Sequence, residues 1–211
     1  MTLSVVTGAS RGIGAALRER LPGEVIGTST RGREGLVALD LLRPDFGVLL
    51  DAVGGRGVDV LVCNAGLFSD RHERLEDGYP ARMWADELAV NVTGVFLTVQ
   101  ALLPSLRAAR GKVAVISSQM GSSEKASGGS YIYRASKAAS ANLARNLAAD
   151  LKRDGIAVAA FHPGWVRTDM GGSSASISPE ESAEGLARQI GRLSMADTGA
   201  FLNWDGRPHP F

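Results

Sequence analysis

Two side chains capable of acid–base chemistry, Tyr133 and Lys137, stand four residues apart in the stretch Tyr-Arg-Ala-Ser-Lys. On a helix this spacing places the phenol and the ammonium on one face, about one turn apart. A positive charge at that distance favours the phenolate and lowers a tyrosine pKa from its reference value near ~10. The spacing therefore predicts a proton-transferring pair in which Lys137 makes Tyr133 more acidic.

A glycine-rich segment lies where the first apolar strand pattern passes into a helical pattern, with glycines at 8, 12 and 14. Glycine lets the backbone turn tightly and approach a pyrophosphate, which the free amide N–H groups of a helix N-terminus stabilise. The spacing Gly-x-x-x-Gly-x-Gly differs from the common Gly-x-Gly-x-x-Gly fingerprint, and a glycine-rich turn without a ligand is the alternative. We expect a dinucleotide here. The expected contacts in this loop are Gly8, Ser10, Arg11, Gly12, Ile13 and Gly14.

The end of the second predicted strand reads Gly27-Thr-Ser-Thr-Arg31. A site for NAD normally places an acid here to bind the adenine-ribose 2′-hydroxyl, and no acid stands between Gly27 and Arg33. Arg31, together with Arg11 from the glycine loop, could instead bind a 2′-phosphate through paired charge-assisted hydrogen bonds. We therefore expect NADP rather than NAD; the alternative is that both arginines only face water.

Small and polar residues also follow the later strands. Asp40-Leu41 follows the third, where a side chain could meet the adenine edge, and Asn64-Ala65-Gly66 follows the fourth, where a cofactor would pass. Either segment could instead form a turn, since Asx and Gly residues favour turns. Ser117 and Ser118 end the fifth strand, and the period of two points only one of them toward the ligand side.

Two further polar residues lie within apolar patterns. Asn91 lies in Ala89-Val-Asn-Val-Thr-Gly94, where a buried amide needs partners; it could bend the helix and hold a water, or cap a local irregularity. His162 ends an apolar strand, so we expect a packed histidine there rather than a catalytic base. No His/Cys/Asp cluster has metal-ligand spacing, so no metal is expected. The Gly-x-Ser-x-Gly elbow of serine hydrolases is also absent.

Composition bounds the class of protein. The 211 residues fit one domain, 1–211. The chain has 23 Lys and Arg against 22 Asp and Glu, so it carries no large net charge to attract nucleic acid or an anionic membrane. The single cysteine, Cys63, excludes an intramolecular disulfide and suits a reducing compartment. No signal peptide precedes the first strand and no apolar run approaches the ~20 residues of a membrane span. We expect a cytoplasmic protein without membrane or nucleic-acid partners, and a solvated loop at residues 70–77.

Short apolar runs alternate with longer helical patterns, which predicts a parallel sheet covered by helices on both faces. Seven strands are predicted, at 3–7, 24–28, 36–39, 58–62, 112–117, 156–161 and 199–203. Helices are predicted at 12–21, 43–53, 83–109, 130–154 and 179–193. Right-handed crossovers favour a doubly wound (Rossmann) α/β sheet, which binds its ligand at the carboxyl ends of the strands. The glycine loop, Asn64, Ser118 and Pro163-Gly164 all follow strands.

Together these positions resemble the short-chain dehydrogenase/reductase family almost from end to end. Thr7-Gly-Ala-Ser-Arg-Gly-Ile-Gly14 is similar to its cofactor loop, and Cys63-Asn-Ala-Gly66 to its Asn-Asn-Ala-Gly element with Cys63 in place of the first Asn. Pro163-Gly-Trp-Val-Arg-Thr168 resembles the element that braces the nicotinamide end. The family's Ser-Ser-x-x-Gly pattern favours Ser118 over Ser117. The positions that fall on the catalytic tetrad are Asn91, Ser118, Tyr133 and Lys137.

Within the family, the stretches from Tyr133, from His162 and around Asp205-Gly206 resemble the C-factor and sniffer-like carbonyl reductase branch. The resemblance implies NADPH-dependent reduction of an aldehyde, ketone or quinone to an alcohol. It assigns Tyr133 as general acid, Lys137 as the ligand of the nicotinamide ribose, and Asn91 as the holder of a relaying water. The cofactor contacts it implies beyond the glycine loop are Arg31, Asp40, Leu41, Asn64, Ala65, Gly66, Tyr133, Lys137, Pro163, Gly164, Val166 and Thr168.

Two alternatives stay open: a regulatory or signalling protein that binds NADP on this fold with little catalysis, and a 3-oxoacyl reductase. The family commonly pairs through the helix at 130–154, so a homodimer is expected. Segment 169–178 is short where many members carry a substrate lid, which predicts an open pocket. The sequence shows no dedicated anchor for a polar substrate. For Phe68, Met120 and Trp165 core packing is the expected role, and an apolar wall of the pocket is the alternative.

Overall fold

The computed structural model of the chain describes residues 1–33 and 35–211. In this part of the chain, seven strands form one parallel sheet in the order β3-β2-β1-β4-β5-β6-β7. The strands are β1 (Leu3–Val6), β2 (Glu24–Ser29), β3 (Val37–Ala38), β4 (Val60–Cys63), β5 (Lys112–Ile116), β6 (Ala157–His162) and β7 (Phe201–Asn203). The predicted doubly wound α/β sheet is confirmed.

Helices cover both faces of the sheet. They are α1 (Gly12–Arg18), α2 (Gly47–Val53), α3 (Ala81–Leu88), α4 (Gly94–Ala109), α5 (Tyr131–Leu151) and α6 (Pro179–Arg192). Successive strand residues point to opposite faces: Val5 belongs to the core beneath α2, α4 and α5, whereas Val6 belongs to the core beneath α1 and α6. Both faces are apolar, as a buried parallel sheet requires.

The predicted helix 83–109 is interrupted. A π-helical turn, Ala89–Thr93, joins α3 to α4, and Asn91 lies within it, fully buried. Such turns insert an extra residue into the helical ladder and are frequent at functional sites. The turn ends directly before Gly94, so Asn91 lies in a local irregularity of the helix, as one of its two expected roles requires; the bend with a held water stays a prediction.

By length and composition alone, the continuous helical stretch Ala81–Ala109 could cross a membrane, with a mean hydropathy of 1.5 over its most apolar window. This length and hydropathy differ from the expectation that no apolar run is long enough to span a membrane. One such helix is weak evidence, because a core helix passes the same test. Val95, Val99, Leu102 and Leu106 are buried in the core shared with the sheet, so this apolar face is already used within the fold.

The strand order reverses direction between β1 and β4. β1 pairs with β2 on one side and with β4 on the other, so the crossovers leave the sheet in opposite directions at this point. In open parallel sheets a crevice forms here, beyond the carboxyl ends of the strands. The residues that follow β1 and β4 therefore define the candidate site.

Candidate active site

A cavity of about 600 Å³ lies at the carboxyl ends of the strands. All the residues predicted to contact a cofactor line it, except Arg31, Gly164 and Val166. Their roles as cofactor ligands stay predictions. The cavity extends from Ser29 and Thr30 at the end of β2 to Tyr133 and Lys137 on α5, so the candidate nucleotide and catalytic residues share one continuous space.

The glycine loop is shaped so that side chains cannot occupy it. Gly8 and Gly12 have left-handed φ angles of 66° and 54°, which only glycine adopts without strain. A Cβ at Gly14 would lie 2.2 Å from the Gly8 carbonyl oxygen. Asn64 holds the loop to β4, since its Nδ2 donates to the carbonyls of Thr7 and Gly8 at 3.0 Å each. No side chain caps the first turn of α1, so its N–H groups are available to a phosphate.

Helix α5 carries Tyr133 and Lys137 into the cavity. Its start is held by the buried Asp70, whose Oδ2 accepts the backbone N–H groups of Ile132 at 2.7 Å and Tyr133 at 3.4 Å. A carboxylate at a helix N-terminus satisfies these free donors and is stabilised by the helix dipole. Asp70 was predicted to lie in a solvated loop, and that prediction is wrong: its side chain is 0% exposed.

Lys137 lies close to Tyr133 but is directed elsewhere. Its Nζ donates to the carbonyl of Ile116 at 2.9 Å and lies 5.6 Å from the centre of the Tyr133 ring. The chain at Gly66 passes close to it, since a Cβ there would lie 3.4 Å from this Nζ and 3.2 Å from Asn91 Oδ1. The pair shares one helix face, as the spacing predicts.

Burial controls both pKa values. It raises the pKa of Tyr133 to about 12, against a hydrogen bond to Ser118 that lowers it. Burial also lowers the pKa of Lys137 to about 8, with the nearby Glu87 acting in the opposite direction. The prediction that Lys137 makes Tyr133 more acidic is therefore wrong for this structure. Loss of hydration in the interior outweighs the attraction between the two groups.

The two serines that follow β5 have different surroundings. Ser117 is buried, and its hydroxyl donates to the Lys137 carbonyl at 2.7 Å. The Ser118 side chain lowers the pKa of the Tyr133 phenol, and its Oγ accepts the backbone N–H of Met120 at 3.1 Å. Of the two serines, Ser117 is the one that lines the cavity, so the catalytic role of Ser118 stays a prediction.

Asn91 uses its whole amide to hold the chain that follows β4. Its Oδ1 accepts the N–H of Leu67 at 2.7 Å, and its Nδ2 donates to the Leu67 carbonyl and to Ser136, both at 2.9 Å. The side chain therefore fixes Leu67 against α5. The implied water site on Asn91 stays a prediction.

Segment 163–178, which follows β6, reaches over the cavity. Asp169 forms an ion pair with Arg11 of the glycine loop, and the Tyr133 hydroxyl lies 3.8 Å from the Met170 sulfur. Arg11 lines the cavity, but its guanidinium meets Asp169. Trp165 is 50% exposed, so the expectation of core packing is wrong for it; its Nε1 donates to the Gly171 carbonyl at 2.9 Å. Although short, this segment contacts both ends of the candidate site.

Three predicted cofactor contacts lie outside the cavity lining. The chain turns directly after β2, where the Gly32 N–H donates to Ser29 Oγ at 3.1 Å, and this turn leaves Arg31 exposed beside the cavity. Val166 is buried and pairs with Ile177 in an isolated parallel bridge. Gly164 instead makes room for neighbours, since a Cβ there would lie 2.5 Å from Ile177 Cδ1.

Several lining residues were missed. Ser29 ends β2 and Thr30 follows it, and both line the cavity. Their position at the end of a strand was the available signal. Arg167, Asp169 and Met170 come from the segment after β6. Its path over the site depends on contacts distant in sequence, so no local pattern could have found them.

His162 is buried rather than catalytic. Its Nδ1 accepts the N–H of Gln119 at 3.2 Å, and its ring lies edge-on to that of His209 at 5.2 Å. Burial lowers the pKa of His162 to about 4, and the positive charges of His209 and Lys125 act in the same direction. The expectation of a packed histidine agrees with this environment.

We expect the protein to lose stability as the pH falls below about 6.5, the His value in an unfolded chain. Between that pH and 4 the unfolded state binds a proton that the folded state rejects, so acid favours unfolding. The full effect at His162 is on the order of 3 kcal/mol. Urea unfolding from pH 7 to 4 should show a shallower decline for His162→Asn than for wild type. The same decline in His162→Asn and in wild type would contradict this expectation. The matched control is His72→Asn, because His72 is exposed.

Comparisons with known proteins agree with this architecture. The profile of the short chain dehydrogenase family matches residues 50–177. The chain is 38% identical over 156 residues to C-signal of Myxococcus xanthus, covering 73% of this chain and 93% of that protein. It is 31% identical over 229 residues to the 3-oxoacyl-acyl-carrier-protein reductase of Escherichia coli, covering 96% of this chain and 90% of that protein.

Solved structures share the fold over nearly the whole chain. The carbonyl reductase Sniffer of D. melanogaster has a TM-score of 0.88 at 26% identity, covering 100% of this chain and 99% of that one. The NADPH-bound carbonyl reductase from chicken fatty liver has a TM-score of 0.89 at 26% identity, covering 100% of both. An oxidoreductase from Brucella ovis in complex with a partially ordered NAD has a TM-score of 0.78 at 28% identity, covering 96% and 98%. The chain belongs to the short-chain dehydrogenase/reductase family.

Proposed function

We propose that this protein reduces a carbonyl compound, an aldehyde, ketone or quinone, to the alcohol with NADPH as the hydride donor. The observation that carries the proposal is that Tyr133 and Lys137, 5.6 Å apart from ring centre to Nζ, line the same cavity as the glycine loop, with Ser118 near enough to lower the pKa of the phenol. Hydroxyl donors of this kind polarise a carbonyl and stabilise the negative charge that develops on its oxygen.

The chain's own residues fit a dinucleotide. Gly8 and Gly14 pack so closely against Ala65 and Asn64 that neither position has room for a Cβ. The helix α1 in this loop has no side-chain cap, so its first N–H groups suit a pyrophosphate. Asp40 and Leu41 line the cavity where an adenine edge would lie, and Pro163 and Thr168 line it near the glycine loop. When bound, the reduced nicotinamide supplies a hydride to the carbonyl carbon.

The Tyr133 phenol holds the proton that the proposed reaction requires. Because burial raises the pKa of Tyr133 to about 12, its hydroxyl stays protonated at neutral pH and can donate to the substrate oxygen as that oxygen gains charge. Ser118 donates a second hydrogen bond to the same oxygen. Lys137 holds a positive charge beside the phenol and favours the phenolate that is left after proton transfer.

Two other functions use the same fold. An NADP-binding regulator would not require Tyr133, Ser118 and Lys137 to meet, so their arrangement favours an enzyme. A 3-oxoacyl reductase would use the same groups and differ in substrate. We would follow NADPH consumption with a panel of aldehydes, ketones, quinones and 3-oxoacyl thioesters. Turnover with the simple carbonyls supports the proposal, whereas NADPH binding without any turnover would support the regulator.

The preference for NADPH gives a separate prediction. Arg11 lines the cavity with Ser29 and Thr30, whereas Arg31 does not. Loss of a charge-assisted contact to a 2′-phosphate costs about 1 to 2 kcal/mol, so Arg11→Ala should reduce the ratio of NADPH to NADH affinity roughly tenfold. Arg31→Ala should change it less. An unchanged ratio in both variants and in the double variant would remove the arginines from cofactor selection.

Two further expectations accompany the proposal. We propose a homodimer that pairs through α5, and we propose that the enzyme works in the cytoplasm. The pairing is supported by small residues on the accessible side of α5, the exposed Ala135 and the partly exposed Ala138, which permit close approach of a second helix.

A further inference from the structure

Three stacked side chains connect the proposed catalytic centre to the protein surface. The ring of Phe68 stacks on that of Tyr133, with centres 4.1 Å apart and planes 21° from parallel. The guanidinium carbon of Arg71 lies 4.9 Å from the centre of the Phe68 ring, within range of a cation–π contact. The two distances together limit the separation between the Arg71 guanidinium carbon and the Tyr133 ring centre to about 9 Å at most.

Buried acids hold the segment that carries this stack. Asp70 binds the first N–H groups of α5, and Glu87 Oε2 accepts the N–H of Ser69 at 2.9 Å as well as its hydroxyl. Both carboxylates are 0% exposed. The segment is therefore held by α5 through Asp70 and by α3 through Glu87, and this places the exposed Arg71 next to the Phe68 ring, outside the cavity lining.

Arg71 is exposed and forms no ion pair with an acid in residues 1–33 and 35–211. Its neighbour Asp70 is directed into the interior, and Glu73 accepts the Tyr79 N–H. Burial raises the pKa of Tyr133, and the Arg71 charge acts in the opposite direction, so its field reaches the phenol. A positive charge at the edge of the site is thus available to a ligand.

We infer that Arg71 is a specificity-determining residue that favours carbonyl substrates carrying an anionic group remote from the carbonyl. The inference rests on the proposed function. With the carbonyl at Tyr133 and an apolar body against Phe68, a carboxylate across one benzene ring would extend toward the guanidinium. Arginine suits this role because its planar fork binds carboxylates and phosphates. The structure thus supplies an anchor that the sequence did not show.

The test compares para-formylbenzoate with its methyl ester, which has nearly the same shape without the charge. An exposed ion pair contributes up to about 1 kcal/mol, or about fivefold. Arg71→Gln should therefore lower kcat/KM for the acid about fivefold and change that for the ester less than twofold. Most of the loss should appear in KM, because this charge contacts a part of the substrate that does not react. Arg71→Glu should lower kcat/KM for the acid by a larger factor, about tenfold or more.

Arg74→Gln is the matched control, because Arg74 lies in the same segment, is exposed, and pairs with Asp77. It should leave the ratio of acid to ester unchanged. An equal effect of Arg71→Gln on the acid and the ester, or no effect on either, would overturn the inference. Reduction of the ester would in that case still support the proposed function. If the wild type reduced neither substrate, the proposed function would fail and this inference with it.

Discussion

Tyr133→Phe should abolish carbonyl reduction while cofactor binding survives. The change removes the proposed proton donor and the partner of Ser118 but keeps the ring that stacks on Phe68, so the fold should persist. General acid catalysis contributes about 10²- to 10⁴-fold to a rate, and we expect a loss of kcat/KM in that range. Steady-state kinetics measure the loss, and calorimetric titration with NADPH should give a Kd close to that of wild type.

The control for this variant is Tyr131→Phe. Tyr131 begins the same helix and meets Tyr79 edge-on, but it does not line the cavity. Its substitution should leave kcat/KM within about twofold of wild type. Reduction at the wild-type rate by Tyr133→Phe would show that another group donates the proton.

Gly14→Ala should destabilise the protein and weaken NADPH binding. In a helix interior, alanine is favoured over glycine by about 0.5 to 1 kcal/mol, so propensity alone predicts a gain. However, the added Cβ would lie 2.2 Å from the Gly8 carbonyl oxygen and 2.6 Å from Asn64 Nδ2. Such overlap with backbone costs about 1 to 3 kcal/mol, which exceeds the gain and displaces the loop that would hold the pyrophosphate.

Gly191→Ala is the matched control, because Gly191 lies inside α6 and an added Cβ there meets nothing within 4 Å. Only propensity acts at that position, so the free energy of unfolding should rise slightly. Urea midpoints compare the two variants. A Gly14→Ala protein as stable as wild type, with the same Kd for NADPH, would show that the close packing of the glycine loop is not needed.

The strands and their ends were predictable because their signals are local. Apolar runs bounded by glycine and polar residues placed every strand within a few positions, and parallel strands bring such ends to one edge of a sheet. This explains why residues as distant in sequence as Gly8, Asn64 and Tyr133 could be expected at one site. All three residues line the cavity because the topology of the parallel sheet brings them to one edge.

The segment 67–80 was not predictable in the same way. The charges at residues 70–77 predicted a solvated loop, and most of that stretch is exposed, yet Asp70 is buried beneath α5. Phe68 and Arg71 extend the stack from Tyr133. These positions depend on contacts with Glu87 and α5, which no local pattern encodes. The pKa of Tyr133 was misjudged for a related reason: spacing reports the proximity of Tyr133 and Lys137 but not their burial, and here burial has the larger effect.

The most direct test of the proposed chemistry is a structure of the protein with NADPH bound. We predict the pyrophosphate against the glycine loop at Gly12 and Gly14, with the nicotinamide beside the Tyr133 hydroxyl and the Lys137 ammonium. A nicotinamide ring found away from both side chains, or a cofactor bound outside this cavity, would contradict the proposed chemistry.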